Sequence, residues 1–319
     1  MEAEKKMNSI KNLQTEISEK IKTQIEEIRL DNISGSVKLA TRSAETLITI
    51  LENVDVSSHS KLIAYIEMVS KELVKAQSTM APIFNLVNKT LLNIYNLDDE
   101  EEIRRIVRVF CQNFLTKLDT SGQMISKLAI DLITDNSTIL THSFSDTILK
   151  TLLLAKRSGK NFDVICTESQ PMKEGVFLAE RLGKEGINVT LIVDSAVFSF
   201  LPETQLVLIG ADALSTNGLI NKIGTLGLAL AAKKFKVNSY ALCDSEKILP
   251  ANYSINIKKL KDPNEILSKT INNVTPINLY FDLTPLEYIT GIITELGFMT
   301  PNDLKKHMKN MRIHRIFSD

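Results

Sequence analysis

The chain has 319 residues, with 38 basic and 38 acidic side chains, 44% hydrophobic residues, three cysteines and no tryptophan. Zero formal charge excludes whole-molecule attraction to polyanions, so nucleic acid or an acidic membrane would need a local basic patch. The longest nearly apolar run, around Thr225 to Ala232, is far short of the roughly 18 residues of a membrane-spanning helix, and Met1 to Ile10 is charged, so a soluble cytoplasmic protein is expected. Cys111, Cys166 and Cys243 lie far apart with no C-x-x-C and no His at ligand spacing. They imply buried thiols, with no disulfide framework, metal or resident cofactor.

Glycine and proline divide the chain. Only Gly35, Pro82 and Gly122 precede residue 150, leaving 17 of the 20 in the rest. Because both residues mark turns and helix ends, long helices are expected first and short elements later. Ile10, Leu13, Ile17, Ile21, Ile25 and Ile28 recur every three or four residues, which places them on one helical stripe. The same spacing runs through Ala40 to Leu51, Leu62 to Leu73, Ile83 to Ile94 and Ile103 to Phe114, predicting a bundle over residues 1–120. After Ser121 a further helix carries Ile125, Leu128, Ala129 and Leu132.

From there the rhythm changes. Short apolar runs at Ser137 to Thr141, Phe162 to Thr167, Asn188 to Val193, Gln205 to Gly210, Ser239 to Leu242 and Ile277 to Phe281 read as strands. Helical patterns lie at Asp146 to Lys156, Lys173 to Lys184, Ile223 to Lys233 and Pro285 to Leu296. Continuously apolar strands separated by such helices require a parallel sheet covered on both faces. Residues 121–319 are therefore read as a doubly wound α/β domain.

In such a sheet ligands sit beyond the carboxyl ends of the strands. Thr141-His142-Ser143-Phe144-Ser145 could cradle an anion at a helix start, or Ser143 or Ser145 could simply cap that helix. In Thr167 to Gly175, Ser169 and Gln170 could face the same crevice, although a polar loop with Pro171 is also an ordinary connection. The densest segment is Gly210 to Thr225. Asp212 there could serve as a general base or bind ribose hydroxyls, Asn217 and Asn221 could orient a ligand, and Lys222 could meet phosphate. The alternative is that Asp212 and Asn217 satisfy turn backbone.

These segments, THSFSDTILKTL at 141–152, TESQPMKEG at 167–175 and GADALSTNGLINKIGT at 210–225, resemble the translation initiation factor 2B regulatory-subunit family, with its relatives ribose-1,5-bisphosphate isomerase and 5-methylthioribose-1-phosphate isomerase. FDLTPLEYITGIITELG at 281–297 and AQSTMAPIFNLVNKTL at 76–91 extend the resemblance over most of the chain. It implies a helical N-terminal domain followed by a Rossmann-like parallel-sheet domain that dimerises. It also implies a ligand site containing Gln77, Thr141, Ser143, Ser169, Gln170, Asp212, Asn217, Asn221 and Lys222.

The departures bear on function. Where the isomerase branch has a cysteine after Thr-His, this chain has Ser143, while the aspartate is kept as Asp212. A hydroxyl holds its proton far more tightly than a thiol. Gln77-Ser78 and Gln170-Pro171 stand where the isomerases have Arg-Pro, and Ser34-Gly35-Ser36 replaces their Arg-Gly-Ala. Each lost charge-assisted contact removes roughly 1.5–3 kcal/mol. The resemblance with these departures implies a non-catalytic regulatory or assembly subunit. Its partners would be a second copy, the alpha subunit of translation initiation factor 2, and a nucleotide or sugar phosphate. The alternative is an aldose–ketose isomerase using Asp212 and Ser143. RNA contact through Lys305, Lys306, Lys309, Arg312 and Arg315 is the weaker reading of what looks like a solvated helix face.

Overall fold

The structure is a computed structural model and describes residues 18–31, 34–53 and 58–318. The chain forms two compact units: one ends at Leu118 and takes in the C-terminal residues from Arg312, and the other is Asp119–Met311.

The helical unit contains α1 (Glu19–Leu30), α2 (Ser36–Asn53), α3 (His59–Ala76), α4 (Ala81–Ile94) and the first part of α5 (Glu100–Ala129). Each predicted stripe is the buried one: Ile21, Ile25 and Ile28 of α1 pack with Ala40, Ala44 and Leu47, Leu62 and Ile66, Val87 and Leu91, and Ile103 and Val107. Ile10, Leu13 and Ile17 lie outside the described residues. The break expected at Ser121 does not occur, because α5 runs on to Ala129; Ser121 is a tolerable helical residue and only the single Gly122 follows it. The tail beyond Arg312 belongs to this unit rather than to the α/β one. Asn88 donates to the Arg312 carbonyl at 2.9 Å and accepts from the His314 N–H at 2.7 Å, and the Phe317 ring meets Phe84 edge-on at 5.3 Å.

The second unit is built on a seven-stranded sheet in the order β10-β9-β7-β4-β1-β2-β3. Its strands are β1 (Ser137–His142), β2 (Phe162–Thr167), β3 (Asn188–Ile192), β4 (Leu206–Ile209), β7 (Asn238–Leu242), β9 (Gly291–Thr294) and β10 (Gly297–Met299), and only β10 is antiparallel to its neighbour. The longer helices are α6 (Asp146–Arg157), α7 (Glu174–Lys184), α8 (Thr225–Phe235) and α9 (Pro301–Asn310). Successive strand residues feed opposite faces. Leu140, Val207, Ile209, Ala241 and Ile292 pack with α8 and α9, while Ile139, Val164, Leu208, Leu242 and Ile293 pack with α6, α7 and the end of α5. This doubly covered sheet is what the consecutive apolar runs require.

Three expectations are corrected in this unit. The Gly210 to Thr225 segment is not an open loop but a hairpin, β5 (Ala213–Ser215) and β6 (Gly218–Lys222), closed by β8 (Phe281–Thr284) into a second, antiparallel sheet. Pro285 to Leu296 is not a helix: after a short turn at Leu286–Tyr288 it supplies β9 of the main sheet. Its Ile and Thr residues are β-branched, and Gly291 lets the Phe298 ring pack where a Cβ would stand at 2.2 Å. The strand foreseen at Ile277 to Phe281 begins only at Phe281. Among the described residues no helix is long and apolar enough to cross a membrane, and no cluster of three His, Cys, Asp or Glu could hold a metal. Lys305, Lys306 and Lys309 lie on the exposed face of α9.

Candidate functional site

The chain runs from β1 outward to β2 and β3, then returns to add β4, β7 and β9 on the other side of β1. The order therefore reverses between β1 and β4, and the crevice beyond their carboxyl ends is the natural ligand position in a doubly wound sheet.

On the β1–β2 side, His142 is almost wholly buried and both its ring nitrogens are used. Nε2 is 2.9 Å from the Ile223 carbonyl, which can only accept, so Nε2 carries the proton; Nδ1 then accepts from the Thr167 hydroxyl at 2.6 Å. Burial holds this imidazole below its ordinary range, against the Ile223 carbonyl, which favours the charged form. His142 is thus an anchored structural donor. Gly224, with φ +106°, lies so close that a Cβ would stand 3.0 Å from the ring.

The Ser143 N–H donates to Ser169 Oγ at 2.8 Å, and Ser169 Oγ is 3.1 Å from Thr167 Oγ1. Ser143 and Ser169 both adopt left-handed backbone, with φ of 65° and 64°, a conformation that costs a non-glycine residue energy and persists only when its surroundings impose it. Asp194 supplies part of that constraint, accepting from the Ser169 and Gln170 N–H groups, each at 2.7 Å. Gly175 completes the wall: a Cβ there would stand 1.7 Å from the Thr167 carbonyl oxygen.

On the β4 side, Asp212 donates its N–H to the Ile220 carbonyl at 2.8 Å, placing its carboxylate at the base of the hairpin. Burial pushes this carboxyl up, while Lys247 and, less strongly, Lys222 pull it down. Asn221 donates to Thr225 Oγ1 at 3.0 Å, and Thr225 in turn donates to the Lys222 carbonyl. Lys222 is 4% exposed. Its Nζ donates to Glu174 Oε1 at 2.7 Å and lies 4.6 Å from the centre of the Tyr280 ring. Asp282, on β8, accepts from the Gly224 and Leu226 N–H groups at the start of α8, and burial pushes its carboxyl up to about 6.

The structure thus gathers Ser143, Ser169, Asp212, Asn221 and Lys222 at the ends of β1, β2 and β4. Thr141 is buried in β1 with no hydrogen bond to its Oγ1 among the described residues. Gln170 is exposed, and Asn217 occupies the exposed two-residue turn between β5 and β6. Gln77 belongs to the helical unit, where its amide donates to the carbonyls of Ile28 at 2.7 Å and Asp31 at 2.9 Å, at the end of α1.

The residue that sequence reasoning missed is Lys247. It is 9% exposed and makes no hydrogen bond or ion pair through its ammonium among the described residues. It exerts the largest attraction on Asp212. Its position shortly after β7 was the available signal, since that is another strand end on the same side of the sheet. Arg157, by contrast, is exposed and only 4.0 Å from Glu185, and Lys173 is exposed. The thiols offer nothing reactive: all three are buried, with Cys166 and Cys111 pushed up to about 12 and Cys243 also raised.

A helical unit followed by a doubly wound sheet, with polar side chains gathered at its switch point, defines an α/β protein of the Rossmann-like class. Residues 32–301 match the family model described as the Initiation factor 2 subunit family, and the chain belongs to that family. It is 32% identical over 291 residues to a ribose 1,5-bisphosphate isomerase of Archaeoglobus fulgidus, covering 89% of this chain and 90% of the relative. It is equally 32% identical over 286 residues to a putative translation initiation factor eIF-2B subunit 2-like protein of Pyrococcus horikoshii, covering 89% and 98%. The crystal structure of the Pyrococcus horikoshii translation initiation factor eIF-2B superposes with a TM-score of 0.77 at 31% identity, over 89% of this chain and 98% of that one.

Proposed function

We propose that this chain is a non-catalytic regulatory or assembly subunit of the initiation factor 2B type. In this reading it is cytoplasmic, pairs with a second copy of itself, engages the alpha subunit of translation initiation factor 2, and keeps its crevice as a site for a nucleotide or sugar monophosphate. The observation that carries the reading is Ser143. A hydroxyl stands beside the crevice where a thiol would exchange a proton, its backbone N–H is fixed to Ser169, and the three cysteines are buried and shifted away from thiolate. The factor-named relative supports the same direction.

The test is turnover of ribose 1,5-bisphosphate and methylthioribose 1-phosphate by the purified chain and by its Asp212→Asn variant. No turnover is expected from either. AMP or ribose 5-phosphate should raise the unfolding temperature of both, because a ligand selective for the folded state stabilises it. Turnover that disappears in Asp212→Asn would establish the isomerase instead. That second reading is favoured by one observation: Lys247, without an ion-pair partner, beside a carboxyl that burial raises, in a chain whose relatives include a named isomerase.

A further inference from the structure

The three helices that follow β1, β2 and β6 start at the carboxyl-terminal side of their strands, where a helix end presents free N–H groups and partial positive charge to an anion. Here each start already has a carboxylate of the chain's own. Asp146 is the first residue of α6 and pairs with Lys150 at 2.6 Å. Glu174 is the first residue of α7, and Asp282 accepts from Gly224 and Leu226 at the start of α8. Glu174 does more than face a helix start. Its Oε1 takes the Lys222 ammonium at 2.7 Å, its Oε2 is buried without a hydrogen-bond partner, and the ammonium is covered on another side by the Tyr280 ring.

We infer that Glu174 is the specificity-determining residue of the crevice: an internal anion that holds Lys222 and leaves Lys247 as the cation offered to a ligand. This rests on the crevice being a phosphate-ligand site, as proposed above. A ligand with one phosphate meets Lys247. A second phosphate could reach Lys222 only by displacing Glu174 from a pair in which the ammonium is buried and the carboxylate partly so, leaving that carboxylate without its donor. The chain therefore selects monophosphates over bisphosphates by charge already in place, independently of whether the bound sugar reacts.

The experiment compares binding of ribose 5-phosphate and ribose 1,5-bisphosphate, by calorimetric titration, to the full chain and to the Glu174→Gln, Lys222→Met and Glu174→Gln/Lys222→Met variants. Glutamine keeps the shape and an acceptor for Lys222 while removing the charge, and the double variant replaces the ion pair by neutral groups if either single variant fails to fold. The wild type should bind the bisphosphate no more tightly than the monophosphate. Glu174→Gln should tighten the bisphosphate by roughly ten- to a hundredfold, the worth of one charge-assisted contact, and the monophosphate by far less, so that the ratio of the two affinities changes. The double variant should lose that gain, which makes Lys222 its source. Binding of both ligands with a ratio unaltered by Glu174→Gln overturns the role of Glu174 and leaves the phosphate site standing. A wild type that already prefers the bisphosphate tenfold also overturns it. No binding of either ligand by any variant overturns the site itself, and the inference with it.

Discussion

Two single-methyl substitutions on α7 should have opposite signs. At Gly175 an added Cβ would lie 1.7 Å from the Thr167 carbonyl oxygen and 3.0 Å from Ser169 Oγ, whereas at Gly183 of the same helix nothing lies within 4 Å. Carbonyl oxygen at the end of a central strand cannot swing aside, so Gly175→Ala must push the start of α7 away from β2 by more than about 1 Å, an overpacking strain of about 3 kcal/mol. Gly183→Ala meets no atom and only reduces the freedom of the unfolded chain, gaining about 0.5–1 kcal/mol. Urea unfolding followed by circular dichroism should separate the two variants by about 4 kcal/mol, with the parent between them. The displacement at Gly175 would also move Ser169, whose Oγ lies 3.0 Å from the added Cβ, so ribose 5-phosphate should stabilise that variant less. Two variants that shift stability in the same direction would refute the close packing of α7 on Thr167.

Removing the charge of Asp282 should change the pH dependence of stability. Its carboxyl is raised to about 6 from 3.8, so the folded chain favours the protonated form; stability from this group is present below about pH 4 and is lost as pH rises through 6, by at most about 3 kcal/mol. Asp282→Asn should flatten that fall, as read from denaturant midpoints at pH 4.5 and 7.5, and an unchanged pH profile would contradict the burial of this carboxylate. Asp194→Ala takes the shared acceptor from the Ser169 and Gln170 N–H groups and should cost about 2–3 kcal/mol. Hydrogen exchange of residues 168–175 should accelerate in this variant, while residues 137–140 of β1 keep their protection.

What could be read in advance followed from periodicity. In the helical unit the apolar spacing is the packing, so Ile21, Leu62, Val87 and Val107 were assignable without any tertiary knowledge. The same holds for β1, β2 and β4, whose apolar runs are buried on both faces. Periodicity failed where two patterns coincide. Leu286, Ile289, Ile292, Ile293 and Leu296 have helical spacing, yet Ile289, Thr290, Ile292, Ile293 and Thr294 are β-branched, and pairing with β7 decides for the strand. The β5–β6 hairpin had its own signal in Asn217-Gly218, a turn pair that suits left-handed backbone. The polar density of the segment is equally that of a loop, and it masks this signal. At the site, Asp212, Asn221 and Ser143 were legible because they follow strands. The pairing of Lys222 with Glu174 and the approach of Lys247 to Asp212 were not, since both join segments far apart in sequence that only the sheet order brings together.

The closing of β6 by β8 has a temporal consequence. The strand bearing Asn221 and Lys222 acquires its outer neighbour only when residues 281–284 exist, some sixty positions further along the chain. The helical unit waits longer still, since Asn88 binds Arg312 and His314, and Phe84 meets Phe317. On the ribosome, the helical unit cannot mature in the order in which it is made: helices translated early are completed by residues from Arg312 onward. A nascent chain arrested before residue 280 would hold a crevice with one wall unfinished.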